Sequence, residues 1–541
     1  LQGLFRGWKR DRYAALALWV LAIAVFTWHR PLFPLDETRY VSVAWEMWLR
    51  GEFFTPSLNG VFYQHKPPLL FWLLQLGWAT GTIELWTRAL PILIAVATGL
   101  TLGTVARRTY GHEAAPLAAL IYLGTLGISL QAAMVMFDGL VTLCLALSML
   151  PLIGGCREGR TRDWVLSGIA LGFGLLAKGP IILLYYLPLV LMAPRDHRAV
   201  AGTRRWVIGV GIAIATALAV FLLWAGPLLL DTDSRGLLMD QVLDRVNATD
   251  ADLGHNRPFW IYLVWAPILL IPWIFVRPLW PSGKGANDTD RWLLRSALVS
   301  LLLLSLISNK QPHYLNPVVA MLTPMWAGAW VAASRRRRAW VLAILATIPV
   351  LLGAMLMVVR AGFSGAPDGA WLMDVSPAWA VMVLMVGGIV PKLWAGWRGV
   401  VLVLPSAAMM AVLGLGYVPV AGDRLSVEPM SAAVARAVAD DRPIAYLGKY
   451  QGQFNYVGRL PLVHIEELNA EEVTAWLQAN PDGLLITRGK RADVLDDLHP
   501  EARQVYRTGV LLAYRASTLL EAQVVFRDCP RGTQLCADAE P

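Results

Sequence analysis

The chain alternates long apolar runs with short charged turns. About thirteen runs of near-spanning length read as helices, at residues 13–28, 89–106, 114–131, 139–154, 164–177, 180–193, 206–229, 259–276, 292–307, 315–333, 339–358, 376–391 and 398–416. A full span needs about 20 residues, so the shorter runs are the weaker signals, the fifth and sixth above all. Lys and Arg gather on alternate turns. Arg6, Lys9, Arg10 and Arg12 precede the first run; Arg107 and Arg108, Arg157 to Arg162, Arg195 to Arg205, Arg277 to Arg295, Arg335 to Arg338, and Lys392 with Arg398 fall on the same side. Positive charge in short turns marks the cytoplasmic face. The N-terminus is therefore expected inside, and an odd number of spans would put the C-terminus outside.

Two longer loops fall on the outer side, 29–88 and 231–258. The first is too apolar for a tether. Its stretch from Tyr40 to Leu49, with Trp45, Met47 and Trp48, suits an amphipathic helix on the bilayer surface. Residues 69–78 are apolar but too short to span. Beyond Tyr417 the apolar runs shrink to strand length, at 443–448, 460–465, 483–489 and 510–516. Between them a helical pattern at 470–480 opens on Asn469 as its N-cap. Residues 1–416 thus read as a membrane domain and 417–541 as a small α/β domain on the outer side.

Composition agrees: of 541 residues, 56% are hydrophobic and only 16% charged, against about 25% charged in soluble domains. The net charge of +9 does not point to nucleic acid, because the arginines sit in separate turns rather than one stripe. Anionic lipid headgroups are their expected counter-charge. The first run lacks a small-residue cleavage site and reads as a retained helix. Four cysteines are present. Cys529 and Cys536, in an oxidising outer compartment, suit a disulfide; two free thiols is the other reading.

Candidate chemistry lies in isolated charges with apolar flanks. Asp36 and Glu37 follow the first span, where a carboxylate pair is costly beside lipid unless Asp36 simply caps a helix. Asp138, in MVMFDGL, sits at the outer start of the fourth span, and Glu84 is a third acid. Against them stand Lys66, Lys178, Arg245, Arg257 and Lys310, each in an apolar setting, with Tyr314 as a hydroxyl donor. Each cation alone could be a snorkelling side chain; together they suit phosphate. His65 with Glu84 could hold a zinc ion, though a lone His beside Lys and Pro is more often a polar contact. No G-x-x-x-x-G-K-[ST] loop is present.

These residues have a familiar order. Asp36-Glu37-Thr38-Arg39-Tyr40, Lys66-Pro67, Asp138, Ala177-Lys178-Gly179, Arg257-Pro258-Phe259-Trp260 and the stretch from Ser308 to Tyr314 resemble the GT-C class of membrane glycosyltransferases. Within it, they are most similar to the bacterial lipid A aminoarabinose transferases. The resemblance covers roughly residues 13–330; over 417–541 only the general plan, a C-terminal periplasmic domain, matches. It implies a monomeric, polytopic inner-membrane enzyme of the GT-C type. That enzyme would move 4-amino-4-deoxy-L-arabinose from undecaprenyl phosphate to lipid A phosphate, giving resistance to polymyxin and other cationic peptides. No cofactor is required by it, a divalent zinc ion being the one open option. The family's acids map to Asp36 and Asp138, with Glu37 beside them, and its phosphate-holding positions to Lys66, Arg245 and Tyr314. Arg257 and Lys310 add cations, and Glu84 and Lys178 fall to sugar or acceptor. Where relatives carry an acid before Lys-Pro, this chain has His65.

Negative charge grows on the departing phosphate, so cations placed there help most in the transition state. An anionic acceptor oxygen needs no strong base. Asp36 is then expected to orient acceptor or sugar hydroxyls, and Asp138 to hold the sugar ammonium. Two other readings remain open: a polyprenyl-phosphate transferase with a protein or another glycolipid as acceptor, and a transporter. Transporters carry internal repeats and midspan polar residues, which this sequence lacks.

Overall fold

The structure is a computed structural model that describes residues 2–63, 65–193, 202–230, 257–280, 287–307, 309–363, 370–394, 396–489, 498–506, 509–528 and 535–539. Arg245, Cys529 and the side chain of Cys536 lie outside the described residues. The chain forms two compact units. One comprises Leu1–His29, Gln64–Leu70 and Thr82–Tyr417, and the other Arg30–Tyr63, Phe71–Gly81 and Val418–Pro541. Elements run α1 (Gln2–His29), α2 (Asp36–Arg50), a short hairpin β1 (Ser57–Leu58) and β2 (Val61–Phe62), and α3 (Leu69–Trp78). Next come α4 (Ile83–Tyr110), α5 (Ala114–Leu123), α6 (Leu126–Ala132), α7 (Phe137–Glu158), α8 (Thr161–Lys178) and α9 (Leu183–Leu191).

The first unit is helical. Among the described residues, eight helices are long and apolar enough to cross a membrane, nine if the bent pair α5–α6 is one span. The ninth and twelfth runs form the helices Asp288–Leu306 and Pro377–Leu393, and other runs differ for local reasons. The fifth and sixth runs are the separate helices α8 and α9: Gly179, at φ +73, turns the chain, and Tyr186 OH comes back to within 3.0 Å of Ser167 Oγ, although the whole stretch Thr161–Leu191 counts as one apolar segment by length and composition. The eighth run gives only the nine-residue helix Ile261–Leu269 and the 3-10 turn Trp273–Phe275, with Pro272 removing a backbone donor between them. The third bends by 69° between α5 and α6, at Gly124, where the Leu402 carbonyl packs against its Cα.

Close packing uses small residues. Gly168 and Gly172 on α8 face helix Thr203–Leu230. A methyl on Gly168 would lie 2.5 Å from the Ala213 carbonyl oxygen, and one on Gly172 2.6 Å from Val220 Cβ. This is the small-xxx-small contact of membrane helices. A buried charge also ties helices together. Asp11 of α1 accepts from the backbone N–H of Gly399 (2.6 Å) and Val400 (3.1 Å), satisfying donors that helix Arg398–Val412 leaves open at its start.

The second unit holds a mixed five-stranded sheet in the order β4-β3-β5-β7-β6, formed by β3 (Ile444–Leu447), β4 (Glu466–Leu468), β5 (Leu484–Gly489), β6 (Ala502–Tyr506) and β7 (Gly509–Arg515). β3 runs parallel to β4 and β5, and β7 antiparallel to β5 and β6. Alternate residues serve two cores. Ala445, Leu447, Leu485, Leu512 and Tyr514 pack with Trp476, whereas Ile444, Tyr446, Leu484, Ile486 and Leu511 pack with Val434 and Phe454. Burial on both faces explains the near-continuous apolar reading of these strands. A hairpin of β8 (Val524–Asp528) and β9 (Leu535–Ala539) follows. Asn469 opens the turn before the helix rather than the helix itself, which is Val473–Ala479 with Glu472 at its N-cap: Asn469 Oδ1 accepts from Glu471 N (3.0 Å) and Glu472 N (3.1 Å), and Asn469 N donates to Glu472 Oε2 (2.9 Å). Two expectations shift. Residues 460–465 are not a strand; the pairing segment is Glu466–Leu468. The polar strand β6 carried no apolar signal.

α2 was expected on the bilayer surface, but its apolar face is covered by protein. Trp45 Nε1 donates to Leu460 O (2.9 Å), Tyr456 N donates to Ser42 Oγ (3.1 Å), and Trp78 stacks on Tyr456 at 5.6 Å between ring centres. In the β1–β2 turn, Asn59 bonds both the N–H and the carbonyl of Ile465, each at 2.8 Å.

Candidate functional site

α7 and α8 form an antiparallel hairpin around Gly159, a left-handed helix cap. Asp138 lies 20 residues before the end of α7 and Lys178 17 residues after the start of α8. At 1.5 Å per residue these arms are about 30 and 26 Å long, so the two side chains meet at the open end. The geometry bears this out: Lys178 Nζ donates to both carboxylate oxygens of Asp138, at 2.8 and 2.7 Å. Asp138 is 4% exposed and Lys178 9%. An acid in a helix's first turn and a cation in another's last turn both agree with the helix dipoles.

The 3-10 turn Pro312–Leu315 closes the cluster. His313 Nε2 lies 3.4 Å from Asp138 Oδ2, and Lys178 Nζ stands 4.4 Å from the centre of the Tyr314 ring. Tyr185 fixes the turn by donating to Tyr314 O at 2.9 Å, and Asn316 donates to Gln131 Oε1 at 3.0 Å just after it. The charge of Lys66 acts on Asp138 as well; Lys66 Nζ itself donates to His65 O at 3.2 Å. Lys310 is buried, with Nζ donating to Ile307 O at 2.7 Å.

Asp138, Lys178, Lys66 and Tyr314 are therefore neighbours in one cluster, with His313 added. Arg257 sits over the Trp265 ring at 4.8 Å. Glu84 belongs to a different arrangement: it pairs with Arg88 at 2.6 Å, and Arg88 also donates to Thr27 O at the end of α1. Among the described residues no group of three or more His, Cys, Asp and Glu side chains gathers as a metal site, so nothing adds to His65 and Glu84 as a zinc pair. His313, Tyr185 and Gln131 carried no role in the sequence reading. The signal for His313 was its place beside Tyr314 in a polar stretch.

In the second unit, Asp36 and Glu37 have different surroundings. Glu37 is buried against Arg30 in a two-pronged ion pair at 2.6 and 2.7 Å, and also accepts from Phe33 N at 2.9 Å. Its carboxylate is thus engaged by the fold, which leaves the catalytic expectation for Glu37 without a substrate-facing oxygen. Asp36 is 51% exposed. It receives Arg39 Nη2 at 2.5 Å and Tyr40 OH at 3.4 Å, while Arg39 also reaches Gln451 at 2.8 Å.

Comparison with known proteins gives a consistent picture. Residues 65–225 match the family described as dolichyl-phosphate-mannose-protein mannosyltransferase. An undecaprenyl phosphate-alpha-4-amino-4-deoxy-L-arabinose arabinosyl transferase from Edwardsiella ictaluri is 28% identical over 336 residues, 60% of this chain and 59% of that protein. One from Pseudomonas fluorescens is 25% identical over 521 residues, 89% of each chain. The chain thus spans under two thirds of the first relative and most of the second. The crystal structure of ArnT from Cupriavidus metallidurans in the apo state superposes with a TM-score of 0.69 at 19% identity, covering 95% of this chain and 99% of that one. The same protein bound to undecaprenyl phosphate also gives 0.69, at 20% identity. The chain has the GT-C fold of membrane glycosyltransferases, and is similar in sequence and in three dimensions to the undecaprenyl phosphate-aminoarabinose arabinosyl transferases.

Proposed function

We propose that this chain transfers 4-amino-4-deoxy-L-arabinose from undecaprenyl phosphate to the phosphate groups of lipid A. The observation that carries this reading is the likeness to the named arabinosyl transferases over 89% of the chain. The Asp138–Lys178 cluster supplies suitable chemistry. The sugar–phosphate bond breaks with charge growing on the departing phosphate, which nearby cations stabilise. Lys66, Lys310 and Arg257 are assigned to that phosphate, Tyr314 to a hydrogen bond with it, and Arg245 completes the assignment. Lys178 has three N–H donors. Two serve Asp138, and the third is assigned to the donor phosphate. Asp138 then positions Lys178, which replaces the earlier expectation that it holds the sugar ammonium, since that ammonium would have to displace Lys178. Asp36, exposed and next to Arg39, is assigned to sugar or acceptor hydroxyls. The enzyme belongs, on this reading, in the bacterial inner membrane, with its N-terminus cytoplasmic and residues 418–541 periplasmic; the alternating arginine turns support that orientation. Modified lipid A carries less negative charge, which gives resistance to cationic peptides.

The test incubates the detergent-purified protein with labelled undecaprenyl phosphate-aminoarabinose and lipid A. Labelled lipid A is the expected product. Label on protein instead would favour the reading suggested by the mannosyltransferase family over residues 65–225, and no transfer to either acceptor would sink the proposal. Asp138→Asn and Lys178→Gln should each lower turnover by about 10²-fold. The double variant should be little worse than either, because the two act as one unit.

A further inference from the structure

The second unit contains a cleft of about 200 Å³, lined in part by Trp45, Glu46, Arg50, Leu462 and His464. This is below the ~300–1,000 Å³ of sites for drug-sized ligands and suits a small headgroup. Glu46 is the informative residue. Its side chain is 5% exposed, and the bonds it accepts, from Arg50 Nε at 3.1 Å and Gly60 N at 3.0 Å, both fall on Oε1. Among the described residues no hydrogen bond reaches Oε2. A carboxylate that lines a cleft and takes its bonds, including the Arg50 ion pair at 3.1 Å, on one oxygen can accept a further donor on the other.

Two further groups narrow the chemistry. His464 Nδ1 lies 3.0 Å from the Asn59 carbonyl, which can only accept, so Nδ1 carries a proton, and in the neutral form of the ring Nε2 is an acceptor. Arg50, 38% exposed, brings a cation to the same place: a methyl built on Gly60 would stand 3.8 Å from Arg50 Nη2 and 3.9 Å from His464 Nδ1. The cleft thus combines acceptors for N–H groups with one guanidinium for an anion, and exposed Leu49 and Leu462 add apolar wall.

We propose that this cleft binds a phosphoethanolamine-type group, with its ammonium on Glu46 Oε2 and its phosphate on Arg50. A trimethylammonium has no N–H to donate, and a glycerol headgroup has no charge to place beside the carboxylate. Both should be discriminated against. The proposal does not depend on the transferase reading.

The full-length protein, stripped of lipid in detergent, would be titrated with short-chain phosphatidylethanolamine, phosphatidylcholine and phosphatidylglycerol by calorimetry. Phosphatidylethanolamine is expected to bind about tenfold tighter than the other two. Glu46→Gln keeps an acceptor for Gly60 N and should abolish that preference, and Arg50→Gln should weaken phosphatidylethanolamine binding, so a folding defect in one variant leaves the other informative. Competition by soluble O-phosphoethanolamine would show that the headgroup suffices. Failure to compete, with the lipid still preferred, would assign part of the affinity to the apolar wall. Equal binding of the three lipids, or a preference that survives Glu46→Gln in folded protein, would overturn the proposal.

Discussion

Asp36 and Glu37 are adjacent in sequence, and one helical step of about 100° separates their fates. Glu37 turns inward to Arg30, which is 1% exposed, while Asp36 turns outward to Arg39. The sequence shows two acids after a span; it does not show which one the fold consumes, because Arg30 reads as one more charge at a helix end. Removing one member of a buried pair leaves the other uncompensated, so Glu37→Gln should cost about 3–5 kcal/mol of stability. Asp36→Asn, at a half-exposed site, should stay within about 0.5 kcal/mol of wild type while lowering sugar transfer. Thermal unfolding and transfer assays on both variants separate the two roles. A stable but inactive Glu37→Gln would return Glu37 to the chemistry. Asp138 and Lys178 were each legible as isolated charges with apolar flanks, but their pairing was not, although the matched lengths of the two helices predict it once the turn at Gly159 is recognised.

At the level of elements, hydropathy located most helices and failed where backbone chemistry overrides it. Pro272 divides what looked like one helix, and the break at Gly124 bends another by 69°. Asp11 was hidden among arginines, because the helix it caps begins almost four hundred residues later. The glycines of α8 were visible as small residues, but not their partner. Gly168 meets the Ala213 backbone, where nothing flexible can move aside. Gly168→Ala should therefore cost about 1–3 kcal/mol through overpacking, despite the better helix propensity of alanine. Gly211 meets nothing within 4 Å at its missing Cβ, so Gly211→Ala should be neutral or stabilising. Unfolding midpoints of the two variants in the same detergent check the contrast.

On the scale of the whole chain, the division at residue 417 was readable from the change in apolar run length, but the second unit's use of residues 30–63 and 71–81 was not. Period and composition describe one segment at a time, and say nothing about which distant segment covers it. The consequence is specific. The core formed by Ala445, Leu485, Leu512, Tyr514 and Trp476 is built only from residues beyond 417. By contrast, Leu460 O, Tyr456 N and both backbone groups of Ile465 find their partners on Trp45, Ser42 and Asn59. Buried backbone groups deprived of partners are costly. A fragment of residues 418–541 should therefore keep slow amide exchange in β5 and β7 while Tyr456 and Ile465 exchange quickly, whereas the full chain protects all four regions. Hydrogen exchange on both proteins measures this directly. Equal protection of Ile465 in the fragment would mean that the first loop rests on this sheet without helping to hold it.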